Sequence, residues 1–266
     1  MICSASNTQI QNLIKLQKQA RFRRKQQLFV AEGIKMLREA AEQGKLKKIY
    51  ATEEKWNLWQ EEISADMGDF DYELVSDAVF KQISETVTPQ GILGLVSIPV
   101  YELQDILGDD RHRYLLLDDI RDPGNLGTIM RTAEGAGMSG IILSRESVDL
   151  FNPKVVRSTM GAIFRVRYCY VEDLPEVARQ IRNLGYEVYG TAMEGSVVYD
   201  EPDYTKGAAV VIGNEANGIS QAVFQEMSGR IRIPMSGQLE SLNAAVSAAI
   251  IMYEMNRQGR KLEKPI

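Results

Sequence analysis

The second half of the chain alternates short apolar runs with segments whose apolar residues recur at helical spacing. A short apolar run is typical of a strand buried on both faces, and an i, i+3, i+4 repeat is typical of a helix packed on one face. The predicted strands are residues 114–117, 141–143, 166–171, 188–192, 208–212 and 231–233. The predicted helices are residues 128–134, 153–160, 174–184 and 221–227, with a last one that begins near residue 242. Because strands joined through helices run parallel, this pattern predicts an α/β domain with a mostly parallel sheet.

The first part of the chain shows the same alternation on a smaller scale. Its predicted strands are residues 28–30, 46–51, 72–75 and 91–98, and its predicted helices are residues 7–25, 32–43, 53–64 and 77–84. A polar, acidic stretch at 101–112 follows Pro99 and has the composition of a boundary. We therefore predict a small α/β domain at residues 1–99, a linker at 100–112 and a second domain at 113–266.

Several functional classes are disfavoured by composition. No apolar run approaches the ~20 residues of a membrane span, and the first residues lack the basic start and apolar core of a secretory signal. Cys3 and Cys169 are not spaced as a metal or redox pair, so we expect a reducing cytoplasm and no metal. The single histidine, His112, lies between two arginines and is interpreted as a solvated polar residue rather than a catalytic one.

Positive charge is concentrated near the start of the chain. The net charge is −5, yet residues 15–48 carry eleven basic and three acidic residues. Within that stretch, Arg21, Arg23, Arg24 and Lys25 surround one aromatic residue, Phe22. Such a segregated basic stretch favours an anionic partner, although a solvated helix face would give the same pattern.

A literal GxGxxG occurs at residues 135–140. In dinucleotide-binding domains this motif follows a strand and opens a helix. Here it ends a predicted helix and precedes the predicted strand 141–143. The order is reversed, so we interpret these glycines as a helix end and a tight turn, and not as a nicotinamide site.

Three loops follow predicted strands and share an unusual composition. Residues 121–127, 213–220 and 234–243 each mix Gly or Pro with Asn, Glu or Ser. Because ligands of open α/β sheets bind beyond the carboxyl ends of the strands, three such loops predict a shared site. Either Ser241 or Asn243 can cap the helix that follows. Its predicted inward face consists of Leu242, Ala245, Val246, Ala249, Ile250 and Tyr253, and a capped core helix is the alternative to a ligand site.

These loops also carry a family resemblance. The segments DPGNLGTIMRTA at 122–133, IGNEANGIS at 212–220, and IPM at 233–235 with ESLN at 240–243 resemble the three ordered motifs of the SpoU (TrmH-type) RNA 2′-O-ribose methyltransferases. The N-terminal part is similar to the L30e-like substrate-binding domain of that family. Its cues are the basic cluster at 21–25, FVAEG at 29–33 and TPQGI at 88–92.

The resemblance implies a SPOUT fold, a parallel α/β sheet whose C-terminal segment forms a trefoil knot. It implies that the three loops hold S-adenosylmethionine in a homodimer with sites near the interface. The cofactor residues carried over by motif are Thr191, Ala192, Gly213, Asn214, Ile233 and Leu242. RNA contacts are expected from Arg21, Arg23, Arg24 and Lys25.

The implied reaction is methyl transfer to a ribose 2′-hydroxyl, with Arg131 as its key residue. Arg131 would act either as the base, assisted by a substrate phosphate, or as a clamp on that phosphate. Asn125 would orient substrate or Arg131, and Glu215, Ser241 and Asn243 would complete the polar set, with Glu215 alternatively pairing Arg131.

An added N-terminal domain favours ribosomal RNA as the substrate. The alternatives are a transfer RNA 2′-O-methyltransferase and a noncatalytic RNA-binding or ribosome-assembly factor on the same fold. Base methylation is disfavoured, because the motifs match the ribose-modifying branch.

Overall fold

The computed structural model describes residues 1–61 and 70–260. The chain divides into two compact units. The first consists of Met1–Pro99 with Asp149–Phe164, and the second of Val100–Val148 with Arg165–Ile266. The segment Asp149–Phe164 therefore groups with the first unit, whereas the predicted boundaries assign it to the second domain. No described helix has the length and apolar character needed to cross a membrane.

The first unit is built on a four-stranded sheet in the order β1-β4-β2-β3. Its strands are β1 Leu28–Glu32, β2 Leu46–Ala51, β3 Tyr72–Leu74 and β4 Ile92–Ser97. Strand β4 runs antiparallel to β1 and β2, and β3 runs parallel to β2. The helices are α1 Thr8–Lys18, α2 Ala20–Gln26, α3 Ile34–Glu42, α4 Glu53–Trp59, α5 Asp77–Ile83 and, from the inserted segment, α8 Pro153–Thr159. The last residues of the predicted helix 53–64, from 62 on, lie outside the described residues.

The prediction of a single helix over residues 7–25 is wrong, because the helix is interrupted at Gln19. That residue is extended, with φ −126° and ψ 107°, and it separates α1 from α2. The predicted apolar stripe holds, since Ile10, Leu13 and Leu16 are fully buried. The break leaves the last carbonyls of α1 without helical partners, and a basic side chain can satisfy such groups.

Arg23 fills that role. Its Nη1 donates to the backbone oxygens of Leu16 (2.6 Å) and Gln17 (2.8 Å), and its guanidinium pairs with Asp149. The inserted segment also packs aromatic residues on β1, with the rings of Phe29 and Phe151 4.8 Å apart. Residues from two distant parts of the sequence thus complete one core.

The second unit is built on a seven-stranded sheet in the order β7-β6-β5-β10-β8-β11-β9. Its strands are β5 Arg113–Leu117, β6 Gly140–Ser144, β7 Tyr168–Val171, β8 Glu187–Thr191, β9 Val197–Val198, β10 Ala208–Ile212 and β11 Gly229–Arg232. All neighbouring pairs are parallel, which confirms the predicted parallel sheet. Its helices are α6 Leu103–Leu107, α7 Pro123–Gly135, α9 Leu174–Asn183, α10 Gln221–Gln225 and α11 Ala244–Arg260. The trefoil knot stays a prediction of the resemblance.

Helix α7 begins five residues earlier than predicted, so most of the predicted loop 121–127 is helical. Asp122 is the N-cap and accepts from the Asn125 amide at 2.8 Å, and Pro123 occupies the first helical position. Proline is tolerated there because the first amides of a helix have no intrahelical partner. The GxGxxG is confirmed as a helix end: Gly135 ends α7, Gly137 has φ +66° and Gly140 opens β6.

Helix α11 packs on α7, and its buried face matches the predicted one only in part, because Ala245 is the one predicted inward residue of the helix that is buried. Its buried residues include Ala244, Ala245, Ala248, Ile251, Met252 and Met255. Val246 and Tyr253, predicted to point inward, are 46% and 50% exposed. The small residues on the inward face allow close packing, which leaves a second apolar stripe on the outside.

His112 is not a solvated residue. It has a positive φ of 50°, its ring stacks on Tyr186 at 4.6 Å, and its Nδ1 lies 3.2 Å from the Tyr114 hydroxyl. These contacts give it a packing role in the second unit.

Candidate functional site

Three neighbouring strand ends of the second unit surround a cavity of about 500 Å³. Strands β10, β8 and β11 are adjacent and parallel, so their carboxyl ends meet at one edge of the sheet. All six residues predicted to contact the cofactor line this cavity: Thr191, Ala192, Gly213, Asn214, Ile233 and Leu242. Glu215, Ser241 and Asn243 line the same cavity, whereas Asn125 and Arg131 are not among the described residues in its wall.

The loop after β10 depends on close backbone packing at Gly213. A Cβ atom there would lie 2.3 Å from the carbonyl carbon of Gly218 and 2.5 Å from the amide nitrogen of Ile219. Asn214 and Gly218 form a backbone bridge across this tight loop. Only glycine at position 213 allows that approach without a shift of the backbone.

The side chain of Asn214 is used to shape the loop. Its Nδ2 donates to the backbone carbonyl oxygen of Asp119 at 2.9 Å. Its Oδ1 accepts from the backbone amides of Ala216 (2.9 Å) and Asn217 (3.1 Å). Because both ends of the amide group make hydrogen bonds within the protein, the side chain of Asn214 is held in place at the cavity wall. Its predicted cofactor contact stays a prediction.

Asp118 is a residue of this site that the sequence reasoning missed. It is buried at the end of β5, and its Oδ2 accepts from the Ser220 amide at 2.7 Å, which fixes the far end of the loop. The sequence feature that could have identified Asp118 is a carboxylate residue directly after a buried strand. The next residue, Asp119, has φ +57°, and its hydrogen bond to Arg121 raises the pKa of that arginine.

A chain of side-chain hydrogen bonds joins the three loops. Asn243 caps α11, because its Oδ1 accepts from the amides of Ala245 (2.9 Å) and Val246 (3.3 Å). Its Nδ2 donates to Asn125 Oδ1 at 2.9 Å, and Asn125 Nδ2 donates to Glu215 Oε1. Of the two candidate caps, Asn243 is the one used; Ser241 is exposed at the cavity.

The donor-to-acceptor direction of these hydrogen bonds follows from the bonds that Asn243 makes with the backbone of α11. Backbone amides can only donate, so Asn243 must present its oxygen to them and its nitrogen to Asn125. Asn125 must then present its own nitrogen to Glu215. The carboxylate of Glu215 is the final acceptor, and the orientation of both amides is determined without ambiguity.

Arg131 stands apart from this network. It is exposed on α7, and its side chain has no hydrogen-bond or ion-pair partner among the described residues. Glu215 bonds Asn125 instead, so the alternative that Glu215 pairs Arg131 is wrong. Its guanidinium is available for an anionic group of a ligand.

The predicted RNA-binding cluster separates into two kinds of residue. Arg21, Arg24 and Lys25 are exposed on α2. Arg23 is only 3% exposed and is engaged by Leu16, Gln17 and Asp149. The expectation that Arg23 contacts RNA is therefore corrected, because its guanidinium is buried and already paired with Asp149. The described residues include no group of three or more His, Cys, Asp or Glu side chains that could hold a metal ion.

Two family profiles match the chain. The SpoU rRNA methylase family matches residues 112–253, and the MRM3-like substrate binding domain matches residues 7–94. The first covers more than half of the sequence and contains all the described residues that line the cavity. The second covers β1, β2, β3, the start of β4 and the basic helix α2.

Individual relatives match along nearly the whole length. The 23S rRNA (guanosine(2553)-2′-O)-methyltransferase RlmP of Bacillus subtilis is 33% identical over 255 residues, which cover 95% of this chain and 97% of RlmP. A crystal structure of AdoMet-bound rRNA methyltransferase from Sinorhizobium meliloti superposes with a TM-score of 0.84 at 32% identity, covering 96% of this chain and 97% of that one.

The SpoU methyltransferase AviRb from Streptomyces viridochromogenes, in complex with the cofactor AdoMet, has a TM-score of 0.84 at 25% identity, covering 95% of this chain and 98% of AviRb. Together with the three motifs and the parallel sheet, these matches show that the chain belongs to the SpoU rRNA methylase family.

Proposed function

We propose that this protein transfers a methyl group from S-adenosylmethionine to a ribose 2′-hydroxyl of ribosomal RNA. The observation that carries the proposal is the cavity, whose wall holds the six motif residues and the end of the Glu215–Asn125–Asn243 chain. A methyl donor bound there would lie beside polar groups able to orient a hydroxyl. The names of RlmP and of the AdoMet-bound relatives support the same reaction.

The residues of the cavity fit the cofactor. A volume of about 500 Å³ lies within the usual range of small-molecule pockets, roughly 300–1,000 Å³. Ile212, Ile233 and Leu242 supply apolar surface for an adenine ring. Glu215 and Glu240 place negative charge where a sulfonium cation would be favoured. When bound, S-adenosylmethionine supplies the activated methyl group.

Arg131 is proposed to hold the phosphate next to the target ribose. An arginine fork binds phosphate through paired hydrogen bonds, and this one has no competing partner among the described residues. Holding that phosphate would orient the hydroxyl, and correct orientation is a large part of catalysis in group transfer. Asn125, Ser241 and Asn243 would complete the polar surroundings.

RNA recognition is proposed for the first unit, through Arg21, Arg24 and Lys25. Their exposure on one short helix supports contact with phosphates. Ribosomal RNA is preferred to transfer RNA because the chain carries an added substrate-binding domain and resembles named rRNA enzymes. We place the reaction in the cytoplasm, where such a substrate would be found.

A homodimer is also proposed. The exposed residues Val246 and Tyr253 of α11, with the half-buried Ile250 between them, supply an apolar face suited to a second copy. Covering that face would remove apolar surface from water, which favours association.

The proposal is tested by methyl transfer from labelled S-adenosylmethionine to unmodified ribosomal and transfer RNA. We expect the labelled methyl group on ribosomal RNA, and nucleoside mass spectrometry should locate it on ribose. The rate of transfer should fall at least ~100-fold in Arg131→Ala, because the loss of substrate orientation raises the activation free energy by ~3 kcal/mol. A labelled methyl group on a base, or on transfer RNA alone, would contradict the proposed substrate. Cofactor binding without transfer to any RNA would favour a noncatalytic assembly factor.

A further inference from the structure

We infer that Arg232 is a positioning residue for S-adenosylmethionine: it holds the turn at residues 193–196 in place, so that Met193 forms part of the wall against the adenosine of the cofactor. The inference rests on the proposed function, because it concerns the binding of that same cofactor. Arg232 and Met193 both lie outside the three sequence motifs. The contacts between β11 and the 193–196 turn lead to this assignment.

The 193–196 turn follows β8 at the edge of the cavity. Met193 is 62% exposed, yet it is one of the residues that line the cavity. The Ser196 hydroxyl donates to the Met193 carbonyl oxygen at 2.8 Å, and Gly195 has a φ of +64°. The turn is therefore closed on itself, but most of its residues are exposed. An exposed turn of this kind keeps a fixed position only if contacts from outside hold it.

Arg232 supplies such a contact from β11. Its Nη1 donates to the backbone carbonyl oxygen of Ser196 and lies 3.4 Å from the Ser196 hydroxyl oxygen. The backbone of Arg232 is itself fixed, because it pairs with Val198 in β9 and its carbonyl oxygen accepts from the Tyr199 amide at 2.9 Å. Arg232 is half-buried and lines the cavity, as Met193 does. One guanidinium thus connects a paired strand to the turn.

Arg230, two residues earlier on β11, contacts the same turn more weakly. Side chains two positions apart on a strand point to the same face. Arg230 Nη1 donates to the Glu194 carbonyl oxygen at 3.3 Å, and its guanidinium carbon lies 4.2 Å from the centre of the Phe224 ring. Arg230 is exposed and is not among the described residues of the cavity wall. Its removal should therefore affect cofactor binding less than the removal of Arg232.

The strand register places Met193 beside the apolar part of the wall. Ile231 pairs with Thr191, and the Ala192 amide donates to the Ile231 carbonyl oxygen at 3.0 Å. Two residues beyond this pair on each chain, Met193 and Ile233 both line the cavity. Ile233 is one of the residues proposed to contact adenine, so Met193 extends the same apolar surface. Covering that surface with a ligand removes it from water and favours binding.

A direct contact between Arg232 and the ligand is the alternative. The methionine part of the cofactor carries a carboxylate, and a guanidinium binds carboxylates well. Among the described residues, the side chain of Arg232 has no ion-pair partner and forms hydrogen bonds only with Ser196. The contact with Ser196 favours the positioning role. The two roles differ in which part of the cofactor is affected.

The test is calorimetry with two ligands. S-adenosylhomocysteine contains adenosine, sulfur and the amino acid, whereas 5′-methylthioadenosine lacks the amino acid. In Arg232→Ala we expect both ligands to bind about tenfold more weakly, a change of ~1.4 kcal/mol each, because Met193 is no longer held against the adenosine part. A loss for S-adenosylhomocysteine alone would overturn the inference and assign Arg232 a direct contact with the carboxylate.

A double-mutant cycle shows whether Arg232 acts through Met193. Met193→Ala alone should weaken the binding of both ligands by a similar factor, since apolar surface that the ligand covers is removed. The variant with both substitutions should bind little more weakly than either single variant, because the two residues act on one contact. Losses that multiply would overturn the inference. Unchanged affinity in Met193→Ala would do so as well, even if Arg232→Ala did not fold.

Conservative rescue and two other arginines complete the test. Arg232→Lys retains a donor for the Ser196 oxygen, so its affinities should lie within about threefold of the wild type. Arg230→Ala should weaken binding by less than about threefold. Arg182→Ala removes an exposed charge near the end of α9, away from the carboxyl ends of the strands, and should leave both affinities unchanged.

The remaining outcomes are distinct. An equal loss of affinity in Arg182→Ala and Arg232→Ala would show a general effect of charge and overturn the inference. An Arg232→Lys protein that binds as weakly as Arg232→Ala would overturn it too. A wild-type protein that binds neither ligand contradicts the proposed function itself, and this is seen before any variant is compared.

Discussion

Gly213 is the residue of the site at which the smallest change should have the largest structural effect. The methyl group of Gly213→Ala would meet the backbone of Gly218 and Ile219 at 2.3–2.5 Å, and backbone cannot rotate away as a side chain can. We expect a loss of stability of ~1–3 kcal/mol, as for overpacking, and at least tenfold weaker cofactor binding. Urea unfolding and calorimetry measure both.

The control for this variant is Gly237→Ala. No atom lies within 4 Å of a Cβ built at Gly237, and its backbone does not have a positive φ. Stability and cofactor affinity should therefore match the wild type. Equal effects of the two substitutions would show that the loop tolerates the methyl group and that the close approach at Gly213 is not required.

Arg23 and Arg24 are adjacent in sequence but should differ in every assay. Arg23→Ala removes the partner of Asp149 and two carbonyl contacts, so we expect a loss of about 3–5 kcal/mol in urea unfolding. Arg24→Ala should change stability by less than ~0.5 kcal/mol, because the side chain is exposed. Its effect should instead be weaker ribosomal RNA binding, with the slope of log affinity against log salt reduced by ~1.

At the scale of the element, the start of α7 determines where Asn125 lies. Asp122→Ala removes the cap that accepts from the Asn125 amide, so we expect a loss of ~1 kcal/mol, which corresponds to ~2–4 °C in Tm. Asp122→Asn retains a capping oxygen and should restore most of that stability. Thermal unfolding of both variants measures the difference; equal destabilisation by Ala and Asn would exclude capping as the cause.

Helix α11 shows why an apolar stripe does not by itself identify the buried face. Two stripes run along this helix, and sequence periodicity selected the one that contains Val246 and Tyr253. The buried face contains Ala244, Ala248 and Ile251, and Ala245 is the one residue of the helix that it shares with the predicted face. The choice between two apolar faces depends on the shape of the neighbouring helix, which local periodicity does not contain.

At the scale of the whole molecule, the exposed stripe should determine the oligomeric state. The double substitution Val246→Glu with Tyr253→Glu places two charges on the proposed dimer face, and desolvating them would oppose association. We expect a dimer for the wild type and a monomer for this variant in sedimentation velocity. Val87→Glu, at a fully exposed site of the first unit, is the control and should remain dimeric. A monomeric wild type would contradict the proposal.

The alternation of strands and helices, the parallel sheet and two of the loops that line the cavity, 213–220 and 234–243, could be predicted from the sequence alone. These features are local or periodic: buried runs, caps and glycine-containing turns are encoded within a few residues. The six cofactor residues were named through the family resemblance, and local pattern alone did not single them out.

Which polar side chains meet depends on the three-dimensional fold. Asn125 bonds Glu215 across 90 residues of sequence and Asn243 across 118, and both contacts depend on the strand order of the sheet. The burial of Arg23 depends in the same way on Asp149, 126 residues away. A charge or an amide gains its role from the partner that folding brings to it, and no local pattern specifies that partner.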